Sequence, residues 1–173
     1  MPRFAIVVAA DEADGIGKSG QLPWRLKGDM AFFMRLTTEP PVPGSQNAVI
    51  MGRKTWESIP DKFRPLPQRL NVVISNNPEL PLPAGVSRAI SLDHALERLT
   101  TTVGLGHVFV IGGGQVFREA VAHRDLEVVY LTRVHTKIAC DAHFPGIPAG
   151  LTLVSESEPQ REGALLYDFC VFR

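Results

Sequence analysis

The chain has 173 residues, with 18 Lys plus Arg balanced by 18 Asp plus Glu, and two cysteines. A domain of this length buries about 70% of its unfolded surface without staples. The charge balance excludes a global field for nucleic acid or membrane, so any anion site has to be local. Cys140 and Cys170 form neither a C-x-x-C pair nor a metal-ligand spacing; this fits a reducing compartment, with no metal and no disulfide expected. The apolar start, Phe4–Ala10, is too short for a secretory signal, and no stretch approaches the ~20 apolar residues of a membrane span. The expectation is a cytoplasmic protein, monomeric by default, with no nucleic-acid or membrane partner.

Phe4–Ala10 is a Val- and Ile-rich run that predicts a strand covered on both faces. Asp11–Leu22 holds three glycines and several turn formers and predicts a surface loop. A connection of that length is either a lid or an idle segment. Pro23 cannot readily continue a helix, so one is predicted to begin just after Trp24. Leu26, Asp29, Phe33 and Leu36 recur at intervals of three and four, placing three apolar side chains and one carboxylate on one face. Asp29 then has two readings. It is an acid of the first helical turn, held by free amides and the helix dipole, or a ligand-facing carboxylate in an apolar cleft walled by Trp24 and Phe33.

Asn47–Met51 predicts a second strand, ending at Gly52 and followed by a short helix over Arg53–Ile59. Strand, glycine and helix start suit a phosphate, with Arg53 and Lys54 adding charge, although two adjacent basic residues equally suit a solvated surface. Further strands are expected at Leu70–Ile74, which runs into Ser75-Asn76-Asn77-Pro78, and at Val86–Ile90, before a helix over Leu92–Leu99 started by Ser91. His107–Ile111 leads into Gly112-Gly113-Gly114 and a helix over Gln115–Val121. This lacks the G-x-G-x-x-G spacing of an ordinary Rossmann domain, yet lets a ligand approach the backbone in front of a helix start. Glu127–Thr136, Leu151–Glu158 and Ala164–Phe172 read as long strands without intervening helices, an antiparallel edge on a mostly parallel sheet. The fold class is therefore three-layer α/β in a single domain, with about eight strands and about four helices. Ligands of such sheets lie at the carboxyl ends of the strands, so the turns at Gly52 and Gly112 can serve one extended dinucleotide beside the Asp29 cleft.

Several short segments carry a resemblance in their order and spacing. They are Ile16-Gly17, Leu22-Pro23-Trp24, Asp29 with Phe33, the run Val49–Ile59, Arg64-Pro65-Leu66-Pro67 and Arg69-Leu70-Asn71. Ser75, Val110–Gly114, Tyr130-Leu131-Thr132 and Asp141 with Phe144-Pro145 complete the set. Along essentially its whole length the chain resembles dihydrofolate reductase, of the bacterial chromosomal type. The resemblance implies NADPH-dependent reduction of 7,8-dihydrofolate to 5,6,7,8-tetrahydrofolate for one-carbon metabolism, with antifolates as inhibitors. It implies that Asp29 pairs with the amino-pyrimidine edge of the pterin, that Thr132 steadies this carboxylate, and that Trp24 orders a nearby water. Ala9, Met30, Phe33, Ser58, Ile59, Arg64, Leu66 and Ile111 would surround the pterin and benzoyl ring, and Arg69 would meet the glutamate α-carboxylate, which its planar fork suits.

For NADPH, the resemblance places Ala9, Ala10, Ile16, Gly17 and Leu22 at the nicotinamide. Gly52, Arg53, Lys54, Thr55, Ser75 and Asn76 would take the phosphates and adenosine half, with Arg53 at a 2′-phosphate. Gly113, Gly114, Gln115 and Val116 would hold the pyrophosphate, with Ile111 and Phe117 alongside. The family also implies a cis Gly112–Gly113 bond, closure of Asp11–Leu22 over the nicotinamide, and a water as the proton donor. Burial is expected to raise the Asp29 carboxyl above its ~3.9 reference, against the opposing helix start. The chain departs from relatives at Phe117 (often Tyr), at Met34 and Ile90 (sometimes basic), and at Leu22 (Met in one case). Pro40–Gln46 and Asp61-Lys62-Phe63 lengthen loops. The competing readings are the riboflavin-pathway pyrimidine reductase of the same fold, against which Trp24, Asp29 and Arg69 speak, and a non-catalytic NADPH-binding protein.

Overall fold

The computed structural model describes residues 1–173. Along the chain come β1 (Phe4–Ala10), β2 (Gly15–Gly17), α1 (Lys27–Thr38), β3 (Gln46–Gly52), α2 (Arg53–Ser58), β4 (Leu70–Ile74) and β5 (Ser87–Ala89). Then follow α3 (Leu92–Thr100), β6 (Leu105–Gly112), α4 (Gly114–Val121), β7 (Leu126–Val134), β8 (Ala142–His143), β9 (Leu153–Glu156), β10 (Gln160–Glu162) and β11 (Leu165–Phe172). The main sheet runs β10-β11-β7-β1-β6-β3-β4-β5, with β9 also paired to β11. From β7 to β5 all pairs are parallel, and β11 runs antiparallel to β7, β9 and β10.

Strand periodicity divides the core into two layers. Phe4, Ile6, Val8 and Ala10 of β1 pack with residues of α3 and α4, whereas Ala5 and Val7 pack on the opposite face with Trp56, Phe33 and Leu36. β1 lies between β6 and β7 and buries both faces, which is what its unbroken apolar sequence requires. The chain leaves β1, skips a place to β3, and later returns to fill that gap with β6. The parallel strands therefore present their carboxyl ends along one edge, around the place where the chain reverses its course across the sheet. No helix is long and apolar enough to cross a membrane.

Three expectations need correction. The first helix begins at Lys27, not directly after Trp24; Leu26 is extended (φ −120°, ψ 107°) and only 2% exposed, so it belongs to the core but not to the helical stripe. The strand expected over Leu151–Glu158 contracts to β9, four exposed residues. Pro159 follows closely, and having no N–H it cannot extend an inner ladder. Meanwhile β10 is an unexpected strand, joined to β11 by a tight turn in which Gly163 takes φ +61°.

The loop Asp11–Leu22 does not run free over the surface. Asp11, 5% exposed, accepts hydrogen bonds from the backbone N–H of Ala13 (2.9 Å), Gly15 (2.8 Å) and Ile138 (2.9 Å). Burial pushes this carboxyl up, but the three donors more than offset it and leave it below the ordinary carboxylate value. β2 then pairs with β8, and Asp141 accepts from Ser19 N–H at 2.8 Å, so the segment is tied to the loop after β7 along much of its length.

At Gly28, in the first turn of α1, a Cβ would stand 2.1 Å from the hydroxyl of Tyr167. Tyr167 is 2% exposed and packs among Trp24, Leu26 and Val134, so the ring has nowhere to go. Gly28→Ala is expected to cost about 1–3 kcal/mol of unfolding free energy as overpacking, measured by denaturant melting.

Candidate active site

The site is built where β1, β6 and β7 end beside α1. In register, Ala9 of β1 is the neighbour of Thr132 of β7, and Thr132 is 3% exposed. The Thr132 hydroxyl donates to Asp29 Oδ1 at 2.7 Å, closing the first turn of α1 onto the sheet. Ala9 also packs against the cluster containing Trp24, Leu26, Val134 and Tyr167. The buried Trp24 Nε1–H is the one buried side-chain polar atom without a hydrogen-bond partner. A buried orphaned donor is what a polar ligand or a bridging water would satisfy.

Electrostatics agree with the geometry. Burial, foremost, raises the Asp29 carboxyl above its ordinary value; the Thr132 hydrogen bond pulls it down, and the nearby Glu162 carboxylate adds to the rise. Desolvation thus prevails over the hydrogen bond from Thr132. Asp29 lies in the first turn of α1, but the first amides of that helix are held by Glu162 and not by Asp29.

Two glycine turns form the second half of the site. β3 and β6 are neighbours, and each ends where a helix begins, at Gly52 and at Gly113. A Cβ on Gly52 would be 3.8 Å from both Gly112 O and Gly113 N, and 3.2 Å from Val116 Cγ2. A Cβ on Gly113 would meet Thr55 Oγ1 at 3.3 Å, so the two turns abut in a cradle that side chains would fill. Neither helix start receives a side-chain cap, leaving first-turn amides for an anion. The Gly112–Gly113 bond is cis, and Gly112 has φ +127°, which L side chains rarely adopt. These residues fit a dinucleotide.

The remaining expected residues divide. Arg69 is 7% exposed, donates from Nε to Pro67 O (2.8 Å) and from Nη1 to Thr37 Oγ1 (2.9 Å), and burial lowers its affinity for its proton. No carboxylate of the protein pairs with it, which leaves the rest of its fork for a ligand anion. Phe33, Ile59, Leu66 and Ile111 are half-buried on the α1 and α2 face of the sheet. Ser58 donates to Thr55 O at 2.6 Å. Ile16 and Gly17 lie on β2, above that edge.

Arg64 is a correction to the substrate contacts: its Nη1 donates to Trp56 O (2.9 Å) and Ile59 O (3.0 Å), and its Nη2 pairs with Asp61 at 2.6 Å. It props the loop after α2 and is committed to protein partners. Met30 and Leu22 are each 56% exposed and form no closed wall. Ala10, Val116 and Phe117 point into the core under α3 and α4, with the Phe117 ring 3.4 Å from where a Gly112 Cβ would be. They support the glycine turn from below and offer a ligand only backbone. Arg53 pairs with Glu57 at 2.8 Å; Lys54, Asn76 and Gln115 are exposed, while Ser75 is 9% exposed and accepts from Asn77 N–H at 3.1 Å. Gly114 opens α4.

Sequence reasoning assigned no role to three acids. Asp11 and Asp141 hold the loop, and Glu162 reaches the start of α1 from β10. The only signal for Asp11 was a carboxylate directly following an apolar strand, and for Glu162 there was none.

A parallel α/β sheet with two uncapped helix starts abutting at glycine turns is the architecture of a dinucleotide-binding protein. A family model described as dihydrofolate reductase matches residues 3–173. Dihydrofolate reductase of Heliothis virescens is 39% identical over 179 residues, covering 99% of this chain and 97% of that protein. The bifunctional dihydrofolate reductase-thymidylate synthase of Glycine max is 41% identical over 177 residues, covering 98% of this chain, which spans only 33% of that longer protein. Among solved structures, Schistosoma mansoni dihydrofolate reductase superposes with TM-score 0.87 at 37% identity, covering 99% of this chain and 97% of that one. The chain belongs to the dihydrofolate reductase family, whose members are NADPH-dependent oxidoreductases.

Proposed function

We propose that this chain reduces 7,8-dihydrofolate to 5,6,7,8-tetrahydrofolate with NADPH, serving tetrahydrofolate biosynthesis. The observation that carries this reading is the half-buried Asp29 carboxylate held by Thr132, together with the orphaned Trp24 N–H. Asp29 binds the amino-pyrimidine edge of the pterin through paired charge-assisted hydrogen bonds. Trp24 Nε1–H holds a water between itself and that edge. A water delivers the proton to the pterin nitrogen, and Asp29 favours the electron-poor, protonated ring.

Bound NADPH supplies the hydride. Gly52, Thr55, Gly113 and Gly114 hold its phosphates on the two helix starts, with Arg53, Lys54, Ser75 and Asn76 on the adenosine side. Phe33, Ile59, Leu66 and Ile111 enclose the rings, and Arg69 holds the glutamate carboxylate. The β2 segment, tied down by Asp11 and Asp141, shields the reacting edge from water. All named groups come from one chain, so a single-domain monomer suffices.

The test mixes protein, NADPH and dihydrofolate and follows the loss of reduced-nicotinamide absorbance, with methotrexate as competitor. Dihydrofolate-dependent, methotrexate-blocked oxidation is expected. NADPH binding without turnover leaves only a sensor, and turnover of a ribosyl pyrimidine alone points to the related reductase.

A further inference from the structure

The helix that carries Asp29 has no cap of its own, because Leu26 offers no hydrogen-bonding side chain. Its first amides are met from the far end of the chain. Glu162 Oε2 accepts from Lys27 N–H at 2.6 Å and Oε1 from Gly28 N–H at 3.0 Å, across 135 and 134 residues of sequence. The Tyr167 hydroxyl donates to the same Oε1 at 3.3 Å and stands over Gly28, the residue before Asp29. One carboxylate thus joins the β10–β11 hairpin to the first turn of α1, opposite the bond from Thr132.

We infer that Glu162 is a positioning residue for the proposed reaction: it caps α1 from outside the helix, fixes Asp29 against Thr132, and lends its charge to the control of Asp29 protonation. The inference rests on Asp29 being the substrate-binding acid. Glu162 from β10 and Tyr167 from β11 act on Asp29, Lys27 on α1 acts on Glu162, and the neutral Thr132 from β7 donates to Asp29. Glu162 is the only carboxylate among them. It disfavours the charged form of Asp29, while the helix start it caps favours that form. Removing the Glu162 charge lifts the first effect and strengthens the second, so both move Asp29 in the same direction.

The experiment titrates the Asp29 carboxyl by ¹³C NMR in the unliganded full chain of the parent, Glu162→Gln and Glu162→Ala, and records turnover against pH for the same proteins. In both variants the Asp29 midpoint moves to lower pH, and the displacement shrinks in ~1 M salt because Glu162 is only half-buried. Turnover of Glu162→Gln exceeds the parent's about threefold below the parent's midpoint, where more of its Asp29 carries the charge, and meets the parent above it. An Asp29 midpoint that stays put in both variants overturns the inference, even if their melting temperatures drop. A midpoint that moves while the turnover profile does not would uphold Glu162's hold on Asp29 and contradict the catalytic reading of Asp29.

Discussion

Asp29→Asn is expected to lower turnover at neutral pH by about a hundredfold or more, the scale of a positioned acid-base group. Asparagine can still accept from the Thr132 hydroxyl, so the helix start stays in place and NADPH affinity is preserved. What disappears is the negative charge that favours a protonated pterin and the pair of charge-assisted hydrogen bonds to its amino-pyrimidine edge. Steady-state kinetics and nucleotide binding measured on the same preparation separate these effects. Turnover within a few-fold of the parent would remove Asp29 from the mechanism.

The same substitution is expected to stabilise the unliganded fold. Burial holds the Asp29 carboxyl above its unfolded value, so the folded protein binds this proton more tightly than the unfolded chain does. Below the unfolded value both states are protonated and Asp29 costs nothing. As pH rises through the raised folded value, the charged form is disfavoured in the fold and stability is lost. Melting temperatures of Asp29→Asn and the parent should therefore coincide in acid and diverge in favour of the variant towards neutral pH. A catalytic group held at the expense of stability is a familiar compromise.

Arg69→Leu is expected to raise the dihydrofolate KM by about a hundredfold and to change kcat by no more than a few-fold. The Arg69 fork is buried, braced by Thr37 and Pro67, and unpaired with any protein carboxylate. A charge-assisted pair in such a setting contributes about 3 kcal/mol, which corresponds to roughly that factor in affinity. Arg69→Lys should recover only part of it, because an ammonium cannot reproduce the planar fork. A folate analogue lacking the glutamate should show no difference between the parent and Arg69→Leu. If it does, Arg69 acts through the fold of Pro67 and Thr37, not through the substrate.

The central sheet was legible because parallel strands buried on both faces leave unbroken apolar runs, and Leu70–Ile74 matches β4 residue for residue. The glycine turns were legible for a similar reason: a strand ending in glycine before a helix leaves a local pattern in the chain. The edge was not. β2, β8 and β10 are two or three residues long and exist only through their partners, Ala142–His143 for β2 and β11 for β10. Their periodicity is too short to distinguish from turns.

The site followed the same division. Asp29 could be singled out as one acid on an apolar helical face, and the resemblance supplied Thr132 and Arg69. Arg64 could not be separated from Arg69 in sequence, because only the fold shows that one fork is spent on Trp56 O, Ile59 O and Asp61 while the other is left partly free. Glu162 reaches Lys27 and Gly28 across more than a hundred residues, a pairing that no local pattern encodes.

The most direct measurement is the single-turnover rate of NADPH oxidation by dihydrofolate, compared across pH in the parent and in Asp29→Asn. The parent, whose charged Asp29 holds a proton on the pterin, should be fastest in mild acid and slow as pH rises past the point where the ring loses that proton, whereas the variant should be slow throughout and lack that transition. Two profiles that superimpose would contradict the assignment of substrate activation to this carboxylate.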